Sequence, residues 1–251
     1  MRVALHATTE VGTRTGRILL AEPALIALGL YGQTGRTEDR RTMAIDSLDG
    51  FDLLVTDDPA PAPLAALALE AGIPLVAAHR PRGRSLPRRF GDRGLTLLAP
   101  ADLADGIAAS LAAHETARRR DPESVVIAWT EEGRGRRRGV AVPFPDPVGP
   151  RWAYRRRPFR GRGDGGVHLV APVPGPWAGA LARVEGGGTE VIVGVADHGA
   201  HLSAIALAAG VIAVIEGAYH AGACRPAAAA PAFLTAALRI GLGVATFSAG
   251  G

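Results

Sequence analysis

Four short runs in the first hundred residues constrain this chain more than anything else in it. They cover residues 2–7, 24–31, 51–58 and 73–79. Each is apolar without the polar alternation of a strand that has one wet face, so each fits a strand buried on both faces. Helical stretches separate them: residues 12–22, stopped by Pro23, and Pro63 to Gly72, where the glycine ends the helix. Strands alternating with helices of this length give βαβ units and a parallel sheet. Residues 95–99 supply one more strand. Residues 102–120 follow as a helix, with Asp102 at its cap, Asp105 in its first turn and Arg118, Arg119 and Arg120 in its last.

The second half has another rhythm. Residues 124–130, 166–171, 178–184 and 190–196 read as short strands with turn signals such as Gly186-Gly187-Gly188 between them. That spacing suggests antiparallel pairing. Residues 203–218 form a helix that is apolar almost all round and therefore expected to be buried. A short helix at 231–239 and a strand at 242–247 close the chain. The expected fold class is α/β: a Rossmann-like parallel sheet followed by an α+β part with a mixed, largely antiparallel sheet. The expected division is residues 1–121 for dinucleotide binding and 122–251 for substrate and dimerisation.

Composition removes several chemistries. All 28 basic residues are arginine, so no lysine can form a Schiff base, serve a P-loop or act as a general acid. The single cysteine, Cys224, can form neither an internal disulfide nor a multi-cysteine zinc site. A chain of 251 residues with 47% hydrophobic content buries an ample core without such staples. No apolar stretch is long and uncharged enough to span a bilayer, and the N-terminus lacks the pattern of a signal peptide, so the expected location is cytoplasmic. The net charge of +4 comes mostly from the arginine-rich segment 118–162. That segment reads either as a solvated basic surface or as an anion site.

The turn after the first run is where dinucleotide folds hold a diphosphate, with glycines admitting the backbone and a helix N-terminus supplying amides. Here it reads His6-Ala7-Thr8-Thr9-Glu10-Val11-Gly12. Against a G-A-T-G-x-x-G pattern Ala7, Thr8 and Gly12 match, while His6 and Thr9 replace two glycines. Glu10 brings a negative charge to the place of a phosphate; the hydroxyls of Thr8, Thr9 and Thr13 offer substitute donors. Ala7, Thr8, Thr9, Val11 and Gly12 are therefore the candidate cofactor residues, with Thr56 and Asp57 from the end of the third run. Arg36, in the loop after the second run, favours the 2′-phosphate of NADP, because a guanidinium can grip phosphate through two hydrogen bonds.

Candidates for proton transfer lie in the second half. His198 and His201, three residues apart beside Asp197, can share a helix face. Tyr219 and His220 follow the buried helix near Cys224 and offer a second acid. The histidine pair has no third ligand in its neighbourhood, so no metal is expected.

Residues 2–17, the run Gly50 to Asp58, the run Ala71 to Val76 and the passage 94–108 together resemble NAD(P)-dependent oxidoreductases of the saccharopine dehydrogenase-like, homoserine dehydrogenase and dihydrodipicolinate reductase type. The resemblance implies a Rossmann domain, a second α+β domain that carries substrate, and a homodimer. It implies transfer of hydride between a nicotinamide dinucleotide and a small substrate; Arg36 favours NADP(H) over NAD(H), and the arginines favour an anionic substrate. The glycine-poor turn and the missing lysine keep a second reading open: a non-catalytic Rossmann-like binding protein without dinucleotide affinity. A nucleic-acid binder is the third, set aside because the arginines follow no nucleic-acid motif.

Overall fold

The computed structural model describes residues 1–33, 39–119, 122–130, 140–142, 151–153, 166–170 and 177–250. Arg36 and most of the arginine-rich segment lie outside them.

The apolar runs of the first half build one sheet. Strands β1 (Arg2–His6), β2 (Ala27–Tyr31), β3 (Thr42–Ile45), β4 (Leu53–Thr56), β5 (Leu75–Ala77) and β6 (Thr96–Leu98) lie parallel in the order β3-β2-β1-β4-β5-β6. The order reverses between β1 and β4, the switch point at which such sheets open a crevice. Helices α1 (Glu10–Ala21), α2 (Ala62–Ala71) and α3 (Leu86–Asp92) make crossovers. The end of α2 follows from its sequence: Gly72 takes φ +71°, a left-handed cap that glycine adopts without a Cβ penalty. All four residues of β4 are buried, as a strand covered on both faces requires.

The expected helix at 102–120 begins as a π-helical stretch, Leu103–Ala108, and continues as α4 (Ala109–Ala117). Asp102 caps it as expected, accepting the Asp105 amide at 2.7 Å. The chain then enters a second sheet. Its strands are β7 (Ser124–Thr130), β10 (Gly166–Val170), β11 (Trp177–Gly186), β12 (Thr189–His198) and β14 (Ala245–Gly250), with β8 (Val140–Val142) and β9 (Arg151–Ala153) forming a separate antiparallel pair. The order is β10-β7-β11-β12-β14, antiparallel except that β10 runs parallel to β7. Gly187 and Gly188 both take positive φ in the β11–β12 hairpin, the conformation that a two-residue hairpin loop demands.

Helix α5 (Gly199–Ile215) joins the two sheets and explains its own composition. Leu207, Ala208 and Val211 pack with Val3, Leu5, Val55 and Leu98 of the first sheet. Leu202, Ile205, Ala209 and Ile212 pack with Ile127, Ala182, Val193 and Phe233 in the second core. A helix covered on both sides has no polar face to show, and each large side chain so buried contributes about 1.5–3 kcal/mol. After α5 the chain returns to the first sheet: β13 (Gly222–Cys224) pairs parallel with β6 at the sheet edge. A 3₁₀ turn, Pro226–Ala229, and α6 (Ala230–Arg239) follow.

Several described elements have no counterpart among the sequence expectations: β3, α3, β8, β9, β13 and the 3₁₀ turn. Each is short, and β3 and β13 lie on sheet edges. Such segments carry too few residues for a period of their own and take their form from the strand or helix they meet. The last strand, expected at 242–247, runs from Ala245 to Gly250.

Candidate functional site

Because β1 and β4 are paired in parallel with His6 opposite Thr56, the residues just past them share one end of the switch point. Past β1 comes the turn Ala7-Thr8-Thr9 and the start of α1. Past β4 comes Asp57, 2% exposed. Its carboxylate enters the turn. One oxygen accepts the Thr8 amide at 2.7 Å and the Thr8 hydroxyl at 3.1 Å. The other accepts the Thr9 amide at 2.9 Å, the Thr9 hydroxyl at 2.6 Å and the Gly12 amide at 2.9 Å.

Thr9 is the helix cap, and its hydroxyl oxygen also accepts the Val11 amide at 3.1 Å. Gly12 makes the approach possible. A Cβ there would lie 2.6 Å from the Ala7 Cβ and 2.9 Å from the Asp57 Cγ. Burial alone would push the Asp57 carboxyl up. The Thr9 hydroxyl and the amides of Thr8, Gly12 and Thr9 outweigh it and hold the carboxyl below its ordinary value. The positive end of α1 favours the same charged state.

The surroundings are tied down as well. Thr56 is fully buried; its hydroxyl lies 3.3 Å from His6 Nδ1 and accepts the Asp58 amide at 3.0 Å. The Gln33 side chain donates to the Ala7 carbonyl at 3.0 Å. Glu10 faces outward and pairs with Arg14 at 2.7 Å; the Arg14 hydrogen bond pulls its carboxyl below the ordinary value.

The expected cofactor residues Ala7, Thr8, Thr9, Val11, Gly12, Thr56 and Asp57 are thus brought together, but to satisfy one another. Of the five amides from Thr8 to Gly12, four already have an acceptor inside the protein. A dinucleotide diphosphate needs those amides, and it would meet the Asp57 carboxylate and then Glu10. The turn as folded does not fit that group. Of the three threonine hydroxyls expected as substitute donors, those of Thr8 and Thr9 donate to Asp57 and that of Thr13 to the Thr9 carbonyl.

The four proton-transfer candidates are split. His198 and His201 sit at the start of α5, with His201 Nε2 3.9 Å from the Asp197 carboxylate. Tyr219 and His220 come after its other end. A helix of 17 residues spans about 25 Å at about 1.5 Å per residue, so the two pairs cannot serve one reacting centre. His201 lines a groove with Arg14 and Arg17 of α1 and Arg239 of α6. The Tyr219 hydroxyl donates to the Pro226 carbonyl at 3.0 Å; burial, then the neighbouring Cys224, pushes its pKa well above the ordinary value. The His220 ring lies 3.6 Å from Cys224 Sγ, and burial pushes that thiol up, away from the thiolate a nucleophile needs. Among the described residues no cluster of three or more His, Cys, Asp or Glu is placed to hold a metal, and no helix is long and apolar enough to cross a membrane.

No protein-family model and no curated protein sequence matches this chain. Solved structures do. Homospermidine synthase from Legionella pneumophila, determined in complex with NAD, aligns with a TM-score of 0.64 at 11% identity over 99% of this chain and 91% of that one. Amine dehydrogenase from Mycobacterium smegmatis gives 0.60 at 12% identity over 89% and 94%. UDP-N-acetylglucosamine 3-dehydrogenase from Acidithiobacillus ferrooxidans gives 0.53 at 12% over 95% and 96%. The fold is the Rossmann-like α/β fold shared with these structures. At these identities the likeness carries the fold and nothing finer.

Proposed function

We propose that this chain is a binding protein built on the Rossmann oxidoreductase fold that no longer holds a dinucleotide at its opening turn. One observation carries the reading. The Asp57 carboxylate takes up the amides of Thr8, Thr9 and Gly12 at 2.7–2.9 Å, so an internal anion stands where a diphosphate would be held. The four acid and base candidates, divided between the two ends of α5, support it from the side of catalysis.

The second reading is an NADP-preferring oxidoreductase that passes hydride to or from a small anionic substrate. It is favoured by the fold shared with an NAD-bound structure. On that reading Asp57 leaves the turn when nucleotide arrives, and Arg36, outside the described residues, grips the 2′-phosphate. The narrower kinship with saccharopine dehydrogenase-like, homoserine dehydrogenase and dihydrodipicolinate reductase families belongs to the same proposal. So do the division at residue 121, a cytoplasmic location and a homodimer, the last supported by Trp177 and Phe247 standing more than half exposed on the second sheet.

Titration of the purified chain with NADPH and NADH, followed by calorimetry, separates the two. The first reading expects no saturable binding up to about 1 mM, weaker than a working cofactor site. Micromolar binding of NADPH, lost in Arg36→Ala, overturns it in favour of the second.

A further inference from the structure

Strands β5, β6 and β13 end side by side at the far edge of the first sheet. The loop after β5 and the residue after β13 close over them around a cavity of about 680 Å³. That volume lies within the roughly 300–1,000 Å³ typical of small-molecule sites. Its lining has two parts. Leu97, Ala99, Ala223 and Cys224 offer an apolar floor, and Arg80, Arg82, Arg84 and Arg225 surround it. Among the described residues no carboxylate lines the cavity.

The arginines are placed by the fold. Pro81 is buried and anchors the loop between Arg80 and Arg82. Gly83 takes φ +152°, a conformation other residues rarely adopt, and sits over Leu86 with no room for a relaxed Cβ (3.0 Å to its Cδ1). Arg225 is drawn to the rim by Asp105, 3.7 Å away. Arg80, Arg82 and Arg84 have no ion pair with any described residue. Guanidinium groups do not discharge at any working pH, so three of them within five residues cannot escape their mutual repulsion by titration. An anion relieves it.

We propose that this cavity binds a small molecule carrying at least two anionic groups, phosphate or carboxylate, on an apolar or heterocyclic body. The anionic groups lie on the arginines, which grip such oxygens through paired hydrogen bonds, and the body rests on the floor. The concave shape with its apolar base selects a small molecule over a nucleic-acid strand, which needs an extended basic groove. The site follows β5, the neighbour of the β4 strand that leads into Asp57, but it shares no lining residue with the Asp57 turn.

The test is calorimetric titration of the full chain with tripolyphosphate and, separately, citrate, which distinguishes phosphate from carboxylate ligands. Saturable binding of at least one is expected. The loop variant Arg80→Gln/Arg82→Gln/Arg84→Gln should weaken it at least ~30-fold, as the loss of several charge-assisted hydrogen bonds implies. A control variant, Arg17→Gln/Arg40→Gln/Arg118→Gln, removes the same charge elsewhere on the surface and should change affinity less than ~3-fold if general electrostatics contributes little. The proposal is overturned if neither ligand binds at about 1 mM, a strength too weak for a built site. It is also overturned if the loop variant keeps its affinity or the control loses as much.

Discussion

The middle and the outer end of the first sheet treat charge in opposite ways. At the switch point between β1 and β4 the chain offers a helix N-terminus and a set of free amides, the usual invitation to an anion, and answers it with its own Asp57. At β5, β6 and β13 it gathers four arginines around a cavity that no carboxylate of the described residues lines. The first place is electrostatically closed within the fold; the second is left open to something from outside. A ligand site cannot be located from a family's usual position alone, because the position is functional only while its polar groups lack internal partners.

Removal of the internal anion tests this contrast most severely. Asp57→Ala removes the acceptor of five donors, the buried Gly12 amide and the amides and hydroxyls of the exposed Thr8 and Thr9, and urea unfolding should show a loss of about 4 kcal/mol. A loss under about 1 kcal/mol would mean that solvent satisfies the turn equally well, and the two places would no longer differ. The charge has its own signature. Asp57's folded value lies below its unfolded one, so its contribution is complete above about pH 4 and fades as pH falls through the lower folded value. Asp57→Asn should abolish that part of the acid sensitivity.

Gly12→Ala comes next. The added Cβ, 2.6 Å from the Ala7 Cβ, forces the turn apart, with an expected cost of about 3 kcal/mol in the same unfolding assay.

A smaller effect, of opposite sign, is expected beside the arginine cavity. Burial, then the neighbouring Asp105, raises the Asp102 carboxyl to about 6. A raised carboxyl favours folding at low pH and loses that advantage as pH climbs from its unfolded value of about 4 to about 6. Asp102→Asn can still cap the helix without ionising. It should therefore be more stable than the parent by about 1 kcal/mol above pH 6 and no more stable at pH 4, read from melting curves at the two pH values.

The smallest effect concerns the arginines. If Arg80, Arg82 and Arg84 are uncompensated, their triple glutamine variant should melt about 1 °C higher than the parent at low salt and indistinguishably from it at about 1 M salt. Equal melting at low salt would show that the charges are already neutralised and would erase the contrast between the two places.

Parts of this were legible in the chain itself. Unbroken apolar runs such as Leu53-Leu54-Val55 gave away the buried strands, and Gly72 and the Gly187-Gly188 pair marked a helix end and a hairpin, because these conformations depend on local sterics. The uniform apolarity of α5 announced its burial, though not that two different cores would share it. The site was only half legible. Thr8, Thr9, Gly12 and Asp57 could be named as neighbours of one crevice, since parallel pairing of the first and third runs brings their ends together. That Asp57 turns inward and consumes the amides could not be read. The Arg-Pro-Arg-Gly-Arg stretch at 80–84 drew no expectation from the sequence and took on meaning only when β13 closed the cavity from residues about 140 positions away.

The order of apolar and helical segments, a property each stretch carries in its own side chains, settled the fold class. Which polar groups find partners inside the molecule and which are left for a ligand was decided only when distant ends of strands came within hydrogen-bonding reach. A hydrogen bond forms over about 3 Å, and no local pattern sets such a distance between residues 45 or more apart.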